Sequence, residues 1–156
     1  MNDTHKIAIQ LHENVPPNWY ETSIKNNFFQ RYWHTRRFSE VRKVISPAKI
    51  VLDIGCADGT FTKVVFEKTG AKQLIGIDVL PNSIDYVKKK FGKKETMKFM
   101  VADAHNLPFN DEKFDAVFCL EALEHVVDPL RVLQEIYRVL KTKGYVVVLV
   151  PSENWL

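Results

Sequence analysis

The sequence predicts an α/β fold of three layers, with helices packed on a mostly parallel sheet, and three observations carry that expectation. From about Lys49 onward, short β-rich apolar runs alternate with stretches of helical period, the pattern of βαβ units that feed a parallel sheet. A chain of 156 residues is long enough to bury a core of its own and short for two ordinary domains. Its 46% hydrophobic and 26% charged residues match a globular average, which excludes a disordered tail, a collagen-like rod and a disulfide miniprotein.

Five strands are readable in order: Ile50 to Ile54, Leu74 to Ile77, Met97 to Val101, Phe114 to Phe118 and Tyr145 to Val150. Phe61, Val64 and Val65 recur at helical spacing between the first two runs, and Gly70 is a helix stop. The next helix starts at Pro81, whose missing N–H is harmless in a first turn. It carries Ile84, Val87 and Phe91 on one face, and ends near Gly92. Its run Lys88-Lys89-Lys90 suits the negative end of the helix dipole and reads as a solvated face. Asp128-Pro129 supplies a cap and first turn for a third helix, with Leu130, Leu133, Ile136, Tyr137 and Leu140 as its expected buried stripe and Gly144 releasing the chain into the fifth strand.

Residues 1–48 read as a separate N-terminal helical segment beside a ligand-binding unit of residues 49–156, both within one structural domain. Pro16-Pro17 breaks a polar lead-in, and Tyr20 to Ile45 is helix-compatible. Phe28, Phe29, Tyr32, Trp33 and Phe38 alternate there with Arg31, Arg36 and Arg37. A helix packed on the sheet accounts for this pattern; a lid over a ligand site is the sharper expectation.

The net charge of +3, from 22 Lys plus Arg against 19 Asp plus Glu, is too small to indicate nucleic acid without a clustered patch. Cys56 and Cys119 stand far apart with no second cysteine near either, as expected for reduced thiols. No run approaches the roughly 18 consecutive apolar residues of a membrane span, and the start MNDTHKIAIQ lacks a secretory plan. No membrane partner and a cytoplasmic location are therefore expected.

The first strand runs into Asp53-Ile54-Gly55-Cys56-Ala57-Asp58-Gly59-Thr60, after which a helix begins. A glycine-bearing turn at the carboxyl end of the first parallel strand is where an open α/β sheet takes a nucleotide-like ligand. The dinucleotide fingerprint GxGxxG would need glycine at positions 57 and 60, which hold Ala57 and Thr60, so a nicotinamide dinucleotide is disfavoured. Asp78 closes the second strand 19 residues beyond Gly59, near the roughly 20-residue spacing of a ribose-binding acid.

This loop resembles the DxGxGxG-type loop of class I S-adenosylmethionine-dependent methyltransferases, with Ala57 in place of the middle glycine. The resemblance continues through Ile75-Gly76-Ile77-Asp78, through Val101-Ala102-Asp103-Ala104-His105-Asn106-Leu107-Pro108-Phe109, and through Phe114 to Glu121 with Glu124-His125-Val126 and Arg138-Val139-Leu140-Lys141. It spans about residues 48 to 151 and points to the family's small-molecule branch. It implies a Rossmann-like sandwich of strand order 3-2-1-4-5 and S-adenosylmethionine as cofactor, with S-adenosylhomocysteine as product and a small molecule as methyl acceptor.

The resemblance further implies that Asp53, Gly55, Cys56, Ala57 and Gly59 shape the methionine side, that Asp78 with Val79 holds the ribose, and that Asp103 and Ala104 meet adenine. Leu120 and Glu121 floor the methionine and acceptor region, and Tyr20 and Trp33 are the lid residues expected nearest the substrate. No dedicated nucleophile is needed, because the sulfonium methyl is already activated. His125 is a candidate base, or simply packs against the sheet. Glu121, Glu124 and His125 form ExxEH, which would share one face if that segment is helical and with which some relatives hold a divalent metal that assists O-methylation; no metal ligand is assigned. A protein that binds S-adenosylmethionine without catalysis is the alternative.

Two departures stand out. Lys141-Thr142-Lys143-Gly144 replaces the family's Lys-Pro-Gly-Gly, and the family's last two strands, an antiparallel hairpin beside the fifth, are absent from the sequence. Without them Val146 to Val150 would be an apolar edge, expected to belong to a longer protein or to be covered by self-association.

Overall fold

The computed structural model describes residues 14–92 and 94–151. The polar lead-in of residues 1–13 and the last residues of the chain, on which parts of the expected N-terminal segment and ligand-binding unit fall, lie outside the described residues. In chain order the elements are helices α1 (Trp19–Asn26) and α2 (Phe28–Val44), strand β1 (Ile50–Ile54), α3 (Thr60–Thr69), β2 (Gln73–Asp78), α4 (Pro81–Phe91), β3 (Met97–Val101), β4 (Phe114–Leu120), a 3-10 turn (Leu123–His125), α5 (Pro129–Val139) and β5 (Leu140–Leu149).

The sheet order is β3-β2-β1-β4-β5, and all four pairings are parallel. Because side chains alternate across a strand, adjacent residues feed opposite cores. Val51, Leu74, Ala116 and Phe118 pack with Val41 of α2, Phe61 and Val65 of α3, and Ile84 and Val87 of α4. Leu52, Ile75, Val117 and Cys119 pack with Val132, Ile136 and Val139 of α5. Near-continuous apolar runs in β1, β2 and β4 follow from burial on both faces.

Local chemistry sets the helix ends. Gly70 takes the left-handed conformation, φ 63°, past α3, Pro81 opens α4, and the Asp128 carboxylate accepts from Arg131 N at 3.0 Å ahead of α5.

The structure departs from expectation in three places. The N-terminal helix is two helices: Asn27 leaves helical geometry, and its side chain accepts from Gln30 N to cap the second one. The buried stripe of α5 is Val132, Glu135, Ile136 and Val139, whereas Leu130, Leu133 and Tyr137 are exposed. Glu135 inside that stripe is what shifts the face: its carboxylate carries hydrogen bonds that an apolar reading does not count. Finally, β5 begins at Leu140, directly after α5, so Gly144 lies within the strand. There its missing side chain leaves room for Leu140 and the Asp115 carbonyl, which a Cβ would meet at 2.7 and 2.9 Å. Among the described residues β5 pairs with β4 alone, and Val146 and Val148 are exposed along it.

Candidate functional site

The loops that follow β1, β2, β3 and β4 converge with α1 and α2 around one cavity of about 630 Å³. Gly55 and Ala57 enter from the first loop, Asp78, Val79 and Leu80 from the second, Ala102 to His105 from the third, and Glu121, Ala122 and Glu124 to Val126 from the fourth. Trp19, Tyr20, Trp33, His34 and Arg37 of the two N-terminal helices complete the wall. This is the crevice at the carboxyl ends of the strands where open α/β sheets take ligands.

The first loop is shaped by close approaches. Gly55, at φ 73°, donates to Ile77 O at 2.9 Å, and a Cβ there would lie 2.5 Å from Ala122 Cβ. Ala57 is also left-handed, at φ 43°, and its N–H donates to Asp78 Oδ2 at 3.0 Å. Asp78 Oδ1 accepts from Leu80 N at 2.9 Å. Two backbone donors thus fix the plane of the Asp78 carboxylate at the cavity wall, and such a group offers about four lone-pair sites for further donors.

Asp103 is held differently. One of its oxygens accepts from His105 N at 2.9 Å and lies 2.6 Å from His105 Nδ1, while His105 Nε2 accepts from Asp128 N at 3.1 Å. The Asp128 contact assigns the proton to Nδ1, so the imidazole donates to Asp103. The loop beyond is clamped by buried Glu135 and half-buried Arg138. Glu135 accepts from Leu107 N at 2.8 Å, and Arg138 donates to the carbonyls of Leu107 and Phe109. Arg138 beside Glu135 lowers its carboxyl below the usual range.

The N-terminal helices are tied down onto this frame. Asp58, buried, accepts from Glu21 N at 2.7 Å and from Thr60 N at 2.9 Å. Glu21 in turn accepts from Tyr86 and Lys90 of α4; Lys88, Lys89 and Lys90 are exposed, as a solvated face requires, and Lys90 reaches Glu21 from that face. On the other side Glu121 forms an ion pair with Arg37 and accepts from the Tyr20 hydroxyl at 3.2 Å. Burial, with the Glu121 charge beside it, raises the Tyr20 phenol. His34 is 2% exposed, and neither ring nitrogen has a hydrogen-bond partner.

Of the expected ligand residues, the structure brings Gly55, Ala57, Asp78, Val79, Asp103, Ala104 and Glu121 to the cavity, together with Tyr20 and Trp33. Asp53, Cys56, Gly59 and Leu120 lie outside its lining. Asp53 is buried beneath the loop, where it accepts from Thr62 Oγ1; desolvation raises its carboxyl to about 7. Cys56 and Leu120 belong to the apolar core. Gly59, at φ 76°, packs against α4, where a Cβ would lie 2.5 Å from Phe91 Cε2.

The condition for a shared ExxEH face, a helical segment, is not met. Glu121 is left-handed at φ 55° and a 3-10 turn follows over Leu123–His125, so the three residues share no helical face. Among the described residues no cluster of three or more His, Cys, Asp and Glu is placed to hold a metal ion. His34 and His105 line the cavity without having been expected there, and Glu135 and Arg138 brace the third loop from outside the lining. His105 stood in the quoted third-strand segment, but its role depends on Asp128, 23 positions away.

A parallel 3-2-1-4-5 sheet whose glycine-bearing first loop and two strand-end carboxylates face one cavity defines a nucleoside-binding α/β protein. Comparison with known proteins narrows the class. A profile described as a methyltransferase domain matches residues 52–148, and the chain belongs to the class I S-adenosylmethionine-dependent methyltransferases. Demethylmenaquinone methyltransferase of Staphylococcus epidermidis is 38% identical over 106 residues, covering 67% of this chain and 44% of that one. Sterol 24-C-methyltransferase of Schizosaccharomyces pombe is 30% identical over 162 residues, covering 91% and 41%. The chain spans less than half the length of these relatives. Among solved structures, the N-methyltransferase NodS of Bradyrhizobium japonicum, in complex with S-adenosylhomocysteine, superposes with a TM-score of 0.70 at 23% identity, covering 94% of this chain and 72% of that one, a likeness of fold.

The cavity suits the family's cofactor. Asp78, Asp103, Glu121 and Glu124 outnumber Arg37 among its charged lining residues, a balance that favours a ligand carrying a sulfonium. The Gly55 to Ala57 turn keeps side chains out of the space beside Asp78.

Proposed function

We propose that this protein is a cytoplasmic methyltransferase that carries S-adenosylmethionine across the carboxyl ends of β1, β2 and β3 and methylates a small molecule. Asp78 and Asp103 facing one cavity across the left-handed Gly55 to Ala57 turn is the observation that carries this reading. Bound there, S-adenosylmethionine supplies a methyl group already activated on sulfur. Asp78 accepts from the ribose hydroxyls and Asp103 from the adenine amino group; His105 holds the Asp103 carboxylate in place. Residues 14–48 act as the lid, whose rings exclude water and hold the acceptor in line with the methyl carbon. Small-molecule acceptors fit the relatives, which are named for methylating demethylmenaquinone and a sterol.

Calorimetric titration with S-adenosylmethionine and S-adenosylhomocysteine tests the reading. Micromolar binding by the intact chain is expected. Asp78→Ala, which removes two charge-assisted hydrogen bonds, should weaken it about 10- to 100-fold. Equal binding by Asp78→Ala, or none by the folded wild type, would overturn the assignment.

A further inference from the structure

We infer that the methyl acceptor is a ring-bearing molecule that enters without a negative charge and carries an O–H or N–H at its reacting atom, seated under α1 and α2, and that His34 takes up that proton during transfer. The inference rests on the proposed cofactor site and extends it to the acceptor.

His34 is 2% exposed, lines the cavity, and leaves both Nδ1 and Nε2 without a partner. These are the only buried side-chain nitrogen or oxygen atoms so left among the described residues. An unsatisfied buried polar group costs about 1–3 kcal/mol, so an imidazole kept in that state at a ligand cavity needs a reason. Its protein neighbours do not supply one. The rings of Tyr20, Trp19 and Phe61 stand nearly perpendicular to it at 5.3, 6.2 and 6.4 Å between centroids, contacts weaker than a hydrogen bond.

Several other candidate bases are engaged, and Glu124 and His125, which also line the cavity, are not sealed in as His34 is. Arg37 and Glu121 hold each other, Tyr20 donates to Glu121, and both ring nitrogens of His105 are used. His34 itself is in the base form near neutrality: burial and the Arg37 charge lower it, against the opposing charges of Glu121 and Asp58. Those two carboxylates also stabilise the imidazolium once a proton arrives.

The acceptor's character follows from the lining. Four carboxylates against one guanidinium repel an anion, so the acceptor arrives with its proton still on. Trp19, Tyr20 and Trp33 offer flat apolar faces for a ring. In the transfer, a lone pair on the acceptor oxygen or nitrogen forms the new bond to the methyl carbon. The carbon–sulfur bond breaks with its electrons left on sulfur, giving S-adenosylhomocysteine. The acceptor's proton passes to an imidazole nitrogen of His34 and leaves to solvent when product departs.

The test uses the full chain saturated with S-adenosylhomocysteine, 2-naphthol as a flat probe with one hydroxyl, and naphthalene as the same body without it. By calorimetry 2-naphthol should bind more tightly than naphthalene. His34→Phe should weaken 2-naphthol at least tenfold while sparing naphthalene and S-adenosylhomocysteine, and His34→Gln should recover part of the loss. In the wild type, nitrogen NMR should show the His34 imidazole shifting with 2-naphthol and not with naphthalene, a readout independent of whether the variants fold. Equal binding of the two probes, no 2-naphthol binding to the loaded wild type, or an unmoved His34 signal would overturn the inference alone. Failure of the wild type to bind S-adenosylhomocysteine would overturn the cofactor reading and this one with it.

Discussion

Gly59→Ala separates a glycine kept for packing from one kept for a ligand. Alanine at φ 76° adopts a conformation that costs an L-residue about 1–2 kcal/mol. Its Cβ would also lie 2.5 Å from Phe91 Cε2 and 2.8 Å from Val87 Cγ2, an overpacking that costs about 1–3 kcal/mol. The expected loss is therefore about 2–5 kcal/mol. In a chain of this size that is a fall in Tm of about 5 to 15 °C. Adding Phe91→Leu should return roughly half the loss by relieving the clash and leaving the backbone contribution. Urea unfolding measures the stability, and S-adenosylhomocysteine titration well below the transition measures the site. Because Gly59 lies outside the cavity lining, affinity should change less than about threefold. Near-wild-type stability combined with lost affinity would refute the packing argument and return Gly59 to the ligand.

Two further predictions follow from buried charges. Asp53 keeps its proton up to about pH 7 in the folded chain against an ordinary 3.8, because burial penalises its anion. Its contribution to stability is therefore full below about pH 4 and is lost as pH rises toward 7, by about 4 kcal/mol. Asp53→Asn should lack that decline, so the difference between the two pH–stability profiles should carry it, and superimposable profiles would contradict it. Arg37→Ala leaves Glu121, with a side chain 7% exposed, beside no cation of α2. A loss of about 2 kcal/mol is expected, less than the 3–5 of a fully buried pair because the guanidinium keeps 18% exposure. Limited proteolysis should then cut α1 and α2 faster, and the pair Arg37→Met with Glu121→Gln should restore resistance; unchanged cleavage in Arg37→Ala would show that the pair does not hold the lid.

The sequence by itself determined the layers and the presence and order along the chain of the five strands. Apolar runs of four to six residues, punctuated by Gly70, Pro81 and Asp128-Pro129, carry the βαβ rhythm locally. Asp78 was legible because its distance from the glycine turn is set by one helix and one strand. What was not legible depended on partners far along the chain. Glu135 reads as a surface charge until the carbonyls and amide of residues 107–109 meet it and Arg138. That Phe91, 32 positions later, packs against Gly59 is likewise invisible in the local sequence. Glu124 and His125 read as part of a helical face until the left-handed Glu121 turns the chain. His34 reads as one more residue of an aromatic and basic helix, because nothing nearby in sequence reports that both its nitrogens are sealed in without a partner. Periodicity records which face a residue presents, and only folding decides what stands opposite it.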